Sequence, residues 1–302
     1  MPQLRANAID IEYESFGRED DPVVLLIMGL GGQLTLWPEA FCRGLAARGF
    51  RVIRFDNRDV GKSTHFTDAG AVDIPALMAR AMGGKAVVTP YALEDMAQDA
   101  VGLLEALGVE RAHIVGASMG GMIAQLVAAH HPAMTRSLVS IMSSTGRRDL
   151  PPGRPEAMAA LMTPLPSDSR EDRIAASMKT WRIIGSPGYP ATDAELRADA
   201  ERDIDRVPYE PTGVSRQMAA IMVAPPRNDI LKSVRAPTLV IHGADDPLVP
   251  VEAGRDTAGA IPGAELIVVP GMGHDITVAL TPVLQKHVGD FLERVEGRSP
   301  GE

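Results

Sequence analysis

At 302 residues, 45% of them hydrophobic, the chain can bury a sizeable core and reaches the size at which a subdomain is expected beside it. A formal net charge of −9, with no basic cluster to track phosphates, argues against nucleic acid as a partner. The single cysteine, Cys42, excludes an internal disulfide and a cysteine-rich metal site and fits a reducing cytoplasm.

The opening MPQLRANAIDIEYESFG lacks a basic segment followed by an apolar one, so no signal peptide is expected. No apolar run approaches the roughly 20 residues that span a bilayer. IDIEYE (Ile9 to Glu14) alternates apolar and polar residues and predicts an early antiparallel strand. VVLLIMG (Val23 to Gly29) and RVIRFD (Arg51 to Asp56) are continuous apolar runs, the pattern of strands buried on both faces. Between them WPEAFCRGLAARGF predicts a helix, with Pro38 near its start and Gly49 just past its end. Residues 64–90 are longer than a usual connection and hold a short helix candidate, IPALMARAM.

The strand–helix order then repeats. In YALEDMAQDAVGLLEALGV, residues Leu93, Met96, Ala100, Leu103, Leu104 and Leu107 form one helical stripe. AHIVGAS predicts a strand, GGMIAQLVAAHHP a helix and RSLVSIMSS a strand. From about Leu150 to Leu231 the alternation stops. Prolines are frequent there, and RPEAMAALM, REDRIAASMKTW, DAELRADAERDI and SRQMAAIM are amphipathic. PTLVIHG and AELIVVPG resume the strands, followed by helices at VEAGRDTAGAI and VLQKHVGDFLERV. This order implies an α/β chain with a mostly parallel sheet covered on both faces. The interruption reads as a helical cap. The expected division is a core over 1–149, a cap over 150–231 and the core again over 232–302.

Within IVGASMGGMIA, Gly116-Ala117-Ser118-Met119-Gly120 fits G-x-S-x-G between a strand and a helix. A strand that turns sharply into a helix raises the serine above the C-terminal edge of the sheet, where α/β folds bind ligands. The competing use of the segment is a tight turn with glycines for packing. A nucleophilic serine needs a base. Of the seven histidines, His274 lies in the glycine-rich loop VVPGMGHDITV just after the last strand. His113 and His242 fall on strands, His130 and His131 end a helix, His287 lies within one, and His65 is in a polar loop. The base needs an orienting acid. VIHGADDPLVP offers Asp245 and Asp246, of which Asp246 is assigned to His274, leaving Asp245 to point away or to bond the turn. For the oxyanion, the backbone N–H groups of Met119 and Leu30 are expected as donors, Leu30 from the loop IMGLGGQLTLW.

The segments MGLGG, FDNRDVGKS, GASMGG, HGADDPLVP and PGMGHD together resemble the α/β-hydrolase superfamily over most of the chain. The order Ser118, Asp246, His274 is the order of that arrangement. The resemblance implies an eight-stranded, mostly parallel sheet flanked by helices, with a helical cap inserted after the sixth strand. FDNRDVGKS is similar to the family turn D-x-R-G-x-G-x-S, with Asp59 in place of the first glycine. Asp56, Arg58 and Ser63 are expected to hold that loop. With TWRIIG and APPR, the chain looks closest to the aclacinomycin methylesterase group of carboxylic-ester hydrolases.

The cap contributes Met158, Met162, Met178, Met218, Met222 and Trp181. Most are expected to pack within helices. Trp181, Met218 and Met222 are named as candidate substrate contacts. The expectation is a cofactor-independent, metal-free serine hydrolase that cleaves a small-molecule carboxylic ester through an acyl-enzyme. It is expected in the cytoplasm, as a monomer or homodimer, without nucleic-acid or membrane partners. The same triad also serves lactonases, thioesterases, carbon–carbon bond hydrolases and haloperoxidases or perhydrolases. A ligand-binding homologue without catalysis is the reading from another class.

Overall fold

The computed structural model describes residues 2–83, 85–162 and 167–299. Eight strands form one sheet: β1 (Gln3–Ala6), β2 (Ile9–Phe16), β3 (Val23–Ile27), β4 (Arg51–Phe55), β5 (Ala112–Ala117), β6 (Thr135–Ile141), β7 (Thr238–Gly243) and β8 (Glu265–Val269). Their order is β1-β2-β4-β3-β5-β6-β7-β8. The β1–β2 and β2–β4 pairs are antiparallel and the rest parallel. Strand β1 has no counterpart among the elements predicted from pattern. Its QLRA buries only Ala6, and Asn7 and Ala8 turn it into β2 with φ of 46° and 63°.

The apolar runs are continuous because successive side chains serve opposite cores. Leu25, Ile27, Ile53 and Ile114 face one side, against α3 (Leu93–Ala106) and α4 (Met119–His130). Val24, Leu26, Val52 and Val115 face the other, against α1 (Glu39–Ala47) and α11 (Thr281–Val295). All five residues of β3 and all six of β5 are buried. The parallel strands aim their C-terminal ends at one edge, so the loops after β3, β5, β7 and β8 share it.

Between β6 and β7 lie α5 (Pro155–Met162), α6 (Arg170–Ile184), α7 (Asp193–Arg206), α8 (Gly213–Val223) and α9 (Asn228–Leu231), with no strand among the described residues. Helices α6 and α7 pack on each other, whereas α9 packs on α4 and on α10 (Val251–Ala260). The long 64–90 connection has a structural use. Its helix α2 (Ile74–Met82) packs on α8, where Ile74, Leu77 and Ala219 form a small apolar cluster. Among the described residues, no helix is long and apolar enough to cross a membrane, and no group of three or more candidate ligands could hold a metal ion.

Candidate active site

Ser118 stands between β5 and α4 with φ 56° and ψ −122°, a backbone that side chains disfavour. Its neighbours explain the glycines. A Cβ on Gly116 would lie 2.0 Å from the Gly120 carbonyl oxygen, and one on Gly120 would lie 2.0 Å from that of Ile27. The turn is held by Ser118 N–H donating to Ile141 O at 2.9 Å and by the Ser143 hydroxyl donating to Ser118 O at 2.7 Å. Positive-φ strain at a non-glycine costs on the order of 1–3 kcal/mol. Ser118→Gly is therefore expected to be more stable than Ser118→Ala by about 1 kcal/mol, net of glycine's greater unfolded-state entropy. Urea unfolding of the two variants reads this difference. Equal or lower stability of the glycine variant contradicts a strained turn.

His274 reaches Ser118 from the loop after β8. The Ser118 hydroxyl donates to His274 Nε2 at 2.9 Å, and His274 Nδ1–H donates to Asp246 Oδ2 at 2.7 Å. A carboxylate accepts only, so this pairing places the ring proton on Nδ1 and leaves Nε2 free to accept. Asp246 is held in turn. Its Oδ1 accepts from the Leu248 and Val249 N–H groups at 2.9 and 2.8 Å. Asp245 ties two loops together by accepting from Gly271 N–H at 2.8 Å. The buried His242 donates from Nε2 to Val249 O at 2.8 Å, on the same acid loop. Burial pushes its pKa below the ordinary imidazole range, which keeps the ring neutral.

The loop after β3 lies against the serine. A Cβ on Gly29 would come within 3.0 Å of Ser118 Cβ and 3.5 Å of its Oγ. Leu30 is the next residue. Met119 is the first residue of α4, so its N–H is one of those an α-helix leaves without an intrahelical partner. The family-like turn braces this arrangement. Asp56 accepts from Leu34 N–H at 2.7 Å, Lys62 N–H at 2.9 Å and Arg206 Nη1 at 2.7 Å. Arg58 makes a two-point pair with Asp99 at 2.6 and 2.7 Å, and the Ser63 hydroxyl donates to Asp56 O at 2.6 Å.

Of the expected cap contacts, Trp181 is half-buried on α6, and Met218 and Met222 pack partly buried against Ile74, Leu77 and Ala219. Two other residues of the segment between β6 and β7 meet the loop that carries His274. The Ile184 carbonyl accepts from His274 N–H at 2.8 Å. Ser186 Oγ accepts from Gly273 N–H at 2.8 Å and donates to Asp275, whose other oxygen accepts from Ser186 N–H at 3.1 Å. Burial raises the Asp275 pKa, and these Ser186 hydrogen bonds oppose the rise. Burial also pushes the Cys42 thiol up to about 12, which leaves it protonated in the first core helix.

The sequence signature of the α/β hydrolase fold matches residues 22–278. The chain belongs to the α/β-hydrolase family. This hydrolase is 27% identical over 297 residues to a rhodomycin D methylesterase of Streptomyces sp. strain C5, covering 92% of this chain and 93% of that one. It is 30% identical to a protein of Variovorax paradoxus described as a carbamate hydrolase, covering 96% and 98%. Its fold matches an enol-lactonase from Burkholderia xenovorans with a TM-score of 0.68 at 22% identity, over 96% of this chain and 99% of that one. Methylesterase relatives support an ester hydrolase. The eight-stranded sheet expected from the resemblance is the sheet observed.

Proposed function

We propose that this α/β hydrolase is a cofactor-independent serine esterase that cleaves a small carboxylic ester through an acyl-enzyme. The hydrogen-bonded chain Ser118–His274–Asp246 carries this reading. Ser118 Oγ attacks the ester carbonyl carbon while His274 Nε2 takes the hydroxyl proton. The tetrahedral oxyanion accepts from the Leu30 and Met119 N–H groups. Its collapse expels the alkoxide, which receives the proton from His274. A water then gives a proton to Nε2 and attacks the acyl carbon; as the acyl C–Oγ bond breaks, Nε2 returns that proton to Ser118 Oγ and the acid is released. Asp246 holds the ring and stabilises the imidazolium without itself taking the proton.

The methylesterase relatives support an ester as substrate. Carbamate and lactone cleavage, named for other relatives, use the same attack on an acyl carbon. The test is a turnover screen over p-nitrophenyl esters of increasing acyl length, matched lactones, thioesters and carbamates. The expected result is fastest turnover on an ester. Faster turnover of a lactone, thioester or carbamate reassigns the substrate class. Tight binding of these compounds without burst or turnover overturns catalysis and favours a ligand-binding protein.

A further inference from the structure

The geometry points to Gln217, on cap helix α8, as a positioning residue for the oxyanion loop. The inference rests on the serine-hydrolase reading above. Gln217 is fully buried. Its Oε1 accepts from Gly31 N–H at 2.8 Å, and its Nε2 donates to Arg58 O at 2.8 Å. Both ends of one amide are therefore fixed, which sets which atom faces the loop.

The loop needs such a hold. Gly29 to Gly32 form a turn closed by Gly32 N–H donating to Gly29 O at 3.2 Å, with Gly31 at φ +65°. Leu30, the expected donor, occupies the corner. On one side Gly29 presses on Ser118. On the other side Gly31 and Gly32 precede the next held backbone group, Leu34 N–H on Asp56, and glycine leaves its dihedrals broad. The Gln217 contact pins that side. A donor must lie about 2.7–3.1 Å from the oxyanion to act, and a 1 Å misplacement carries about 10²-fold in rate.

Gln217 is itself fixed by the residue before it. Arg216 is fully buried and makes a two-point pair with Asp59, Nε to Oδ2 at 2.8 Å and Nη2 to Oδ1 at 2.7 Å. Asp59 also accepts from the Tyr91 hydroxyl at 2.6 Å and from Phe66 N–H at 2.7 Å. It adopts φ 67°, a conformation suited to the glycine found at this point in the family turn. The aspartate thus accepts backbone strain in a place where it anchors α8. The cap, through Gln217, becomes part of the wall behind the oxyanion loop, so cap placement and transition-state stabilisation are coupled.

The test compares wild type with Gln217→Met, which keeps the volume and removes the acceptor, and Gln217→Asn, which keeps the amide but retracts it by one methylene. Val223→Ala, on the same helix and packed against the Ile74, Leu77 and Ala219 cluster, serves as a cap control that spares the contact. Steady-state kinetics on the best ester are measured with the affinity for an alkyl boronic acid, which forms a tetrahedral adduct on the serine. Both Gln217 variants are expected to lose about 10- to 100-fold in kcat with KM within about threefold, and to lose boronate affinity in step. The asparagine variant decides the matter if the methionine variant does not fold. Unchanged kcat and boronate affinity, with or without a lower Tm, overturn the inference. A wild type that neither turns over esters nor binds boronate at Ser118 instead overturns the serine-hydrolase reading, whatever Gln217 does.

Discussion

Asparagine in place of Asp246 is expected to lower kcat by about 10⁴-fold, the loss that a mis-set histidine tautomer carries in serine protease triads. The reason is in the two sides of the carboxylate. Oδ1 accepts from Leu248 and Val249 N–H, and Oδ2 accepts from His274 Nδ1–H. The single oxygen of asparagine would stay with the two backbone donors, because an amide NH2 there would face two N–H groups. Its NH2 would then donate to Nδ1. That pairing moves the ring proton to Nε2, where it blocks acceptance of the serine proton. The acid loop keeps its bonds, so Tm is expected to change little while kcat collapses. Full activity in this variant points to another acid, Asp245 or Asp275, and contradicts the assignment.

Ser118→Ala is expected to be the most damaging single change, lowering kcat by about 10⁶-fold. Alanine keeps the Cβ, so the contact with Gly29 and the strained turn remain, and only the nucleophilic oxygen is lost. A residual rate above that in water is expected, because the backbone donors and substrate binding survive the substitution. The comparison is kcat for wild type and variant on the best ester from the screen, with Tm measured on the same samples. A loss of tenfold or less in a folded variant would mean that the chemistry does not run through Ser118.

Legibility in the sequence followed range. The β3 and β5 runs showed because a strand buried on both faces is apolar at every position. The serine turn showed because its requirements are local: Gly116, Gly120 and Gly121 each lie where a Cβ would strike Gly120 O, Ile27 O or Ser143. His274 and Asp246 were reachable because each follows a strand whose end shares the sheet edge with Ser118. Strand β1 was missed because one buried residue in four leaves no alternation to read. Gln217 was illegible for a different reason. Its partner Gly31 lies 186 residues away, and a glutamine in SRQMAAIM looks like an exposed helix position until α8 is packed. Ser186 likewise meets Asp275 across 89 residues. Met218 and Met222, on the same helix, pack partly buried against Ile74 and Leu77 of α2, a contact that depends on how the 64–90 connection folds back.

These contacts change what the cap does. It touches the loop after β3 through Gln217, the turn after β4 through Arg206 and Arg216, and the loop of His274 through Ile184 and Ser186. A hydrogen bond from Arg154 N–H to Pro247 O at 2.7 Å reaches the acid loop as well. The segment that is expected to select the substrate therefore also braces the loops that hold Gly31, Asp246 and His274.

The central claim is that Ser118 is a nucleophile activated by His274. Intact-mass analysis after treatment with a fluorophosphonate tests it most directly, because the reagent reports on serine reactivity without knowledge of the natural ester. The expected result is one adduct on the wild type, mapped by peptide digestion to Ser118, none on Ser118→Ala and strongly slowed labelling of His274→Ala. An unlabelled wild type, or continued labelling of Ser118→Ala, would contradict the account.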